Sequence, residues 1–119
     1  MTMVARASVE LREIAQSLDE ALATLCAQTH ERVDAERDYR IAKARAWIQA
    51  PQGTVPEREA WVNGQTADLR HRRDLADGLA RGAMEAVRYY RGRLSAWQTL
   101  TTATREEAAL ARTGPEVPW

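Results

Sequence analysis

The residues with the clearest chemical potential are five arginines that share one face of a predicted helix. On a helical wheel at about 100° per residue they fall within about 80° of arc. Guanidinium groups bind phosphate oxygens through paired hydrogen bonds, and counterion release from a nucleic acid adds to the affinity. A stripe of this kind is typical of phosphate binding. Its members are Arg70, Arg73, Arg81, Arg88 and Arg91.

The charges of the chain cancel overall but are unevenly placed. Among residues 1–38, acidic side chains outnumber basic ones eight to four, whereas residues 70–93 hold seven arginines and three acids. Two interpretations stay open. Either the arginines are free for phosphate, or the acidic part of the first helix neutralises them within the molecule. The acids in question are Glu20, Glu31, Asp34 and Glu36.

No set of residues indicates catalysis, a metal or a cofactor. Cys26 lies in an apolar stripe and is expected to be a small core residue, while His30 and His71 are isolated. One cysteine excludes a disulfide framework, and no run of about 18 apolar residues is present to cross a bilayer. We therefore expect a cytoplasmic protein that is not an enzyme, with no membrane contact.

The elements that position the arginines are all helices. Ala, Leu, Glu and Arg dominate, and alternating β-branched runs are missing, so the sequence predicts an all-α fold. Helix one is expected at about residues 4–50 and helix two at about 57–112, with a turn at 51–56. In the turn, Thr54 and Glu57 form a capping-box motif with Pro56 in the first helical turn. A tail at 113–119 is expected to be flexible because Gly114, Pro115 and Pro118 oppose a helix.

The two predicted helices carry facing apolar stripes. With the turn near Gly53, an antiparallel hairpin pairs the stripes in register, as a single domain of residues 1–112. Because two helices alone bury little surface, we expect a homo-oligomeric bundle or ring. The expected neighbours are Leu25 with Leu79, Leu18 with Tyr90, and Leu11 with Trp97; Leu22 extends the stripe of helix one, and Ala83, Val87 and Leu94 that of helix two.

A second face of helix two collects small residues. An interior glycine costs about 1 kcal/mol of helix stability relative to alanine, so several on one face suggest that another backbone approaches there. The face is expected to contact another subunit; the alternative is that its glycines only soften the helix. The predicted interface residues are Gly64, Gly78, Gly82, Gly92 and Ala96.

The last residues, "TGPEVPW", end in an acid, a branched apolar residue, a proline and an aromatic ring. This ending is similar to the C-terminal tip of bacterial single-stranded-DNA-binding proteins, which docks into pockets on partner proteins. Trp119 is accordingly a candidate partner-docking residue. The alternatives are an unstructured tail or one that places Trp119 on a neighbouring subunit.

Three segments resemble the phage recombination mediators of the UvsY type. "AKARAWIQAPQG" is similar to a basic helix of that family that ends in an aromatic residue and a glycine turn. "EREAWVNGQTADLRHRRDL" and "GAMEAVRYYRGRLSAWQTL" are similar to its next helix and its late helix. The resemblance covers roughly residues 39–103.

The resemblance implies a small oligomer that binds single-stranded DNA and helps to load a RecA-like recombinase onto strands covered by single-stranded-DNA-binding protein. By this analogy Lys43, Arg45 and the arginines from Arg70 to Arg93 contact DNA. The competing hypothesis is a helical assembly protein, such as a phage morphogenesis chaperone or scaffold, that does not bind nucleic acid. A third is an adaptor that modulates transcription by gripping a protein partner.

Overall fold

The computed structural model describes residues 2–113 and consists of three helices: α1 (Met3–Gln49), α2 (Val55–Gln65) and α3 (Ala67–Thr113). No described residue lies in a strand, which confirms the all-α prediction. The first helix has the expected bounds to within one residue. Its charged and apolar residues favour helix throughout, and Pro51 follows shortly after its last residue.

The turn between α1 and α2 is fixed by the predicted capping box. The Glu57 amide donates to Thr54 Oγ1 at 3.3 Å, and the Thr54 amide donates to Glu57 Oε2 at 3.4 Å. These two bonds satisfy donors that a helix start would otherwise leave unpaired. Gly53 fits because a Cβ there would stand 2.6 Å from Glu57 Oε2, the far end of the same capping side chain.

Arg58 ties α2 to the end of α1. Its Nη2 donates to the backbone oxygen of Trp47 at 2.9 Å, and its guanidinium lies 5.6 Å from the centre of the Trp47 ring. The last carbonyls of a helix have no partner within the helix, so this bond caps α1 from the side. The role of Arg58 is therefore structural.

The predicted single helix at 57–112 is wrong at one point, because Thr66 separates α2 from α3. Thr66 is buried, with φ −108° and ψ 8°, and its hydroxyl donates to the Val62 backbone oxygen at 2.8 Å. The Thr66 amide donates to that same oxygen. Such a bond can bend a helix. The same bond at Thr101 and Thr104 leaves α3 unbroken, so the hydroxyl bond alone does not explain the break.

The chain divides into two compact units, and both long helices contribute to each. The turn unit, residues 22–85, holds the end of α1, all of α2 and the start of α3. Its helices are joined by ion pairs from Arg72 and Arg73 to acids of α1, as the antiparallel prediction requires. Its buried apolar residues are Ala35, Tyr39, Ala46, Val62, Ala76, Ala80 and Ala83.

The terminal unit, residues 1–21 and 86–119, pairs the start of α1 with the rest of α3. Ala7, Ile14 and Ala21 are buried at seven-residue spacing, and Val87 is the most buried residue of the unit at 1% exposure. Arg93 Nη2 lies 3.8 Å from Glu10 Oε2 and joins the two helices. A seven-residue apolar repeat is the pattern of helices that pack side by side.

Alanine, rather than leucine, forms most of the core. In the described range 2–113, seven of the eleven buried apolar residues are alanines, and such short side chains let two helices approach closely. The larger residues are displaced to the edges: Leu22 is 38% exposed and Leu79 is 48% exposed, so their predicted core positions are wrong. Cys26 is exposed as well, which corrects the prediction that it is a core residue.

Candidate nucleic-acid interface

In the turn unit, the predicted arginine stripe is partly neutralised. Arg73 is the least available, since Nη2 lies 2.9 Å from Asp74 Oδ1 and Nε lies 3.8 Å from Glu36 Oε2. Its guanidinium also lies 4.4 Å from the centre of the Tyr39 ring. These contacts raise the pKa of Arg73, the hydrogen bond to Asp74 most of all. Arg73 therefore belongs to the packing of the unit more than to its surface.

Arg81 and Arg70 differ in their surroundings although both are exposed. Arg81 Nη2 lies 2.8 Å from Asp77 Oδ2, one helical turn away, so a carboxylate already balances its charge. Arg70 has no carboxylate within 4.0 Å among residues 2–113. Of the three stripe arginines in this unit, Arg70 is the one with an uncompensated charge.

Arg72, which the wheel places outside the stripe, makes two short ion pairs between α3 and α1. Its Nε lies 2.8 Å from Glu31 Oε1, and its Nη1 lies 2.7 Å from Asp38 Oδ2. The hydrogen bond from Arg72 lowers the pKa of the Asp38 carboxyl below its ordinary value. The acidic part of α1 thus neutralises Arg72 and Arg73, which is one of the two interpretations that the sequence left open.

The two α1 cations implied by the family resemblance lie in the same unit. Lys43 is exposed, and its Nζ lies 5.8 Å from the centre of the buried Tyr39 ring. Arg45 is exposed and has no carboxylate within 4.0 Å among the described residues. By contrast, Arg40 is paired with Glu36 at 2.8 Å. Lys43 and Arg45 therefore remain candidates for phosphate contact.

In the terminal unit, the stripe continues at Arg88 and Arg91. Both are exposed; Arg88 has an interaction partner in the chain, and Arg91 has no carboxylate within 4.0 Å among residues 2–113. Between them, the Tyr89 ring is 58% exposed. It packs edge-on against Tyr90 with ring centres 5.2 Å apart. Tyr89 thus contacts Tyr90 and Arg93 while more than half of its surface stays exposed.

The predicted oligomer interface is open to solvent. Gly64, Gly78, Gly82 and Gly92 are exposed, and no atom lies within 4 Å of a Cβ built at any of them. Ala96 is exposed too. No second backbone among residues 2–113 approaches these glycines, so close packing between the described helices does not account for them.

Large apolar side chains lie beside these small residues. The sequence pattern predicts Leu79 as a core residue and gives Leu75 and Leu100 no role. Leu75 is 55% exposed and Leu79 is 48% exposed in the turn unit, and Leu100 is 42% exposed in the terminal unit. We call this set the apolar flank of α3: Leu75, Leu79 and Gly82 in the turn unit, and Tyr89, Ala96 and Leu100 in the terminal unit. The signal was a second run of three-and-four spacings in α3, beside the one that faces α1.

The residues examined for other chemistry form no site in the described part of the chain. His30 and His71 are exposed, and no group of three His, Cys, Asp or Glu side chains in residues 2–113 is arranged to hold a metal ion. Over the same range, no helix is both long and apolar enough to span a bilayer. The predicted docking residue Trp119 lies outside the described residues.

Comparison with protein-family models, with curated proteins and with solved structures finds no match to this chain.

Proposed function

We propose that this chain is a non-enzymatic recombination mediator. As a homo-oligomer it binds single-stranded DNA and helps to load a RecA-like recombinase onto strands covered by single-stranded-DNA-binding protein, in the cytoplasm of the cell or of a phage host. The observation that supports this most is that the exposed arginines and the apolar flank occupy different faces of α3, with centres about 140° apart around the helix.

The arginine edge supports the nucleic-acid part of the proposal. Arg70 and Arg91 are exposed without a carboxylate partner among the described residues, and Lys43 and Arg45 add two more exposed cations on α1. Unpaired guanidinium groups keep their full attraction for phosphate, whereas paired ones must first give up a partner. We therefore narrow the DNA contacts to these four residues, with Arg88 as a further candidate.

The apolar flank supports the oligomer. Isolated exposed leucines are ordinary, but a row of apolar and small residues along one helix marks a surface that associates. Gly82 within the row and Gly78 beside it allow a second helix to approach closely. Tyr89, the aromatic residue of the row, is 58% exposed, and the Arg93 guanidinium lies 5.9 Å from its ring centre. It is available to another subunit or, once Arg93 moves aside, to a DNA base, since base stacking on an aromatic ring contributes about 1–3 kcal/mol.

A second candidate function is a helical assembly protein that binds no nucleic acid. The ion pairs of Arg72 and Arg73 with acids of α1 favour it, because they use arginines of the basic segment to hold the helices together. The apolar flank fits this function equally well. The mediator and the assembly protein differ in whether the cations without a carboxylate partner contact phosphate.

The test is a titration of the protein into fluorescent single-stranded and duplex oligonucleotides of equal length, followed by anisotropy at low and at physiological salt. A mediator is expected to prefer the single strand and to bind with a clear salt dependence. If neither oligonucleotide binds at low salt, the nucleic-acid proposal fails and the assembly protein takes its place.

The oligomer is tested separately with Gly78→Leu and Gly82→Leu in one chain. Because no atom lies within 4 Å of a Cβ at either position, the leucines fit the monomer, and only an interface in contact with them is disrupted. Light scattering after size exclusion should show a lower mass, with circular dichroism unchanged. The control carries leucine at two exposed α1 positions, Ala23 and Ala44. An unchanged mass in the glycine variant would exclude this face as the interface.

A further inference from the structure

An apolar groove opens in the terminal unit, between the first two turns of α1 and the last turns of α3. Met3 and Val4 form one wall and are 45% and 58% exposed. The other wall belongs to α3, from Leu100 to Arg112. The groove is therefore a concave apolar surface that the described residues leave open to solvent.

The groove has a charged rim of one sign. Arg105 and Arg112 line it, and neither has a carboxylate within 4.0 Å among residues 2–113. An apolar floor between unpaired guanidinium groups suits a short peptide that carries apolar side chains and at least one acid. A purely apolar ligand would leave both arginines without a partner.

The sequence that follows α3 has this composition. Residues 114–119 read GPEVPW, with one acid at Glu116 and apolar side chains at Val117, Pro118 and Trp119. Glycine after a helix end allows the chain to reverse. We propose that the groove binds this segment of the same chain, with Glu116 at Arg112 and the Trp119 ring between the helices.

The length of the segment agrees with the length of the groove. Five residues beyond Gly114 span at most about 17 Å when extended. Nine residues of α3, from Thr113 back to Thr104, rise about 14 Å. Trp119 therefore reaches the part of the groove lined by Thr104 and Arg105, and Glu116 passes Arg112 on the way.

This inference does not depend on nucleic-acid binding, but it bears on the predicted partner-docking role of Trp119. A segment held in its own groove is not free to dock on another protein. Binding of a partner to this tail then competes with the intramolecular contact, so a partner must bind the tail more tightly than the groove does.

Disulfide trapping tests the proposal in the full chain. The variant carries Cys26→Ser to remove the native thiol, Val4→Cys in the groove and Pro118→Cys beside the intact Trp119. The matched control places the first cysteine at Ala5, the next residue of α1, which is exposed and does not line the groove. After mild oxidation, free thiols, mass and migration on a non-reducing gel are measured.

We expect the Val4 variant to form an intrachain disulfide at least about tenfold faster than the Ala5 control, because docking holds the second thiol at the groove, whereas an undocked tail would reach both positions at similar rates. Equal rates would overturn the proposal. A disulfide-linked dimer as the main product would also overturn it and would place the segment of a second copy in the groove.

A charge exchange tests the pairing within the groove. Glu116→Arg should bring the trapping rate down toward that of the control, and Arg112→Glu added to it should restore most of the rate. If Glu116→Arg leaves the rate unchanged, the acid does not direct the segment, and the pairing with Arg112 is wrong.

Discussion

Replacing Arg70 and Arg91 by glutamine should halve the salt dependence of single-stranded DNA binding. These two residues and the α1 cations Lys43 and Arg45 are the four predicted contacts that the structure leaves exposed and without a carboxylate partner among residues 2–113. For single strands, the slope of log affinity against log salt is about −0.7 per phosphate contact. Four contacts give a slope of about −2.8, and two give about −1.4.

The assay is anisotropy of a labelled single strand at several salt concentrations. Between about 0.05 and 0.2 M salt, the affinity of the unmodified protein should fall about 50-fold, and that of the double variant about 7-fold. Helix content should not change, because both side chains are exposed on the surface of α3.

The matched control is the pair Arg40→Gln and Arg81→Gln. The side chains of Arg40 and Arg81 are also exposed, at 76% and 79%. Each, however, lies 2.8 Å from a carboxylate one turn away on its own helix. If carboxylate pairing decides which arginines contact phosphate, the control slope should stay close to that of the unmodified protein. A control slope that flattens as much as that of Arg70 and Arg91 would refute this reasoning.

Three further predictions concern stability. Val87→Ala should lower the free energy of unfolding by about 1.5–2.5 kcal/mol in a urea titration, because two buried methyl groups are lost at a site that is 1% exposed. The control Val33→Ala, at a site that is 58% exposed, should change the free energy of unfolding by less than about 0.5 kcal/mol. Thr54→Ala removes the acceptor of the capping box and should cost about 1 kcal/mol by the same titration; no loss would mean that water replaces the cap. Since the hydrogen bond from Arg72 lowers the pKa of Asp38, the stabilisation is present above the ordinary aspartate value and is lost as pH falls through the lowered folded value. The thermal unfolding temperature of the unmodified protein should therefore fall below about pH 4, and that of Arg72→Gln should fall less over the same range. Identical pH profiles would show that this ion pair does not contribute to stability.

Most of the secondary structure could be predicted because local chemistry decides it. The breakers at Pro51 and Gly53 and the capping motif of Thr54 with Glu57 act within a few residues, and the structure confirms a helix end and a helix start there. The break at Thr66 was missed, since a threonine in a helix has no fixed outcome. Thr101 and Thr104 donate their hydroxyls to backbone oxygens in the same way as Thr66, and α3 continues past both.

The core was predicted only in part. The spacing of apolar residues identified the faces that meet, and Ala83 and Val87 are buried as expected. It did not show which members of a wide apolar stripe point inward. Alanines at the contact bring the helices close together and leave Leu79 at the edge, 48% exposed, where it becomes part of the apolar flank.

The sequence by itself determined that the chain is helical, where it turns, and that its arginines gather in one segment, because these properties depend on residue type and short-range spacing. Only the tertiary structure decided which arginines keep their charge uncompensated. Arg72 and Arg73 reach acids more than thirty residues away, on a helix that the fold brings alongside, while Arg70 does not. Pairing across helices depends on rotation and register to within a few ångströms, and residue spacing along one helix does not specify either.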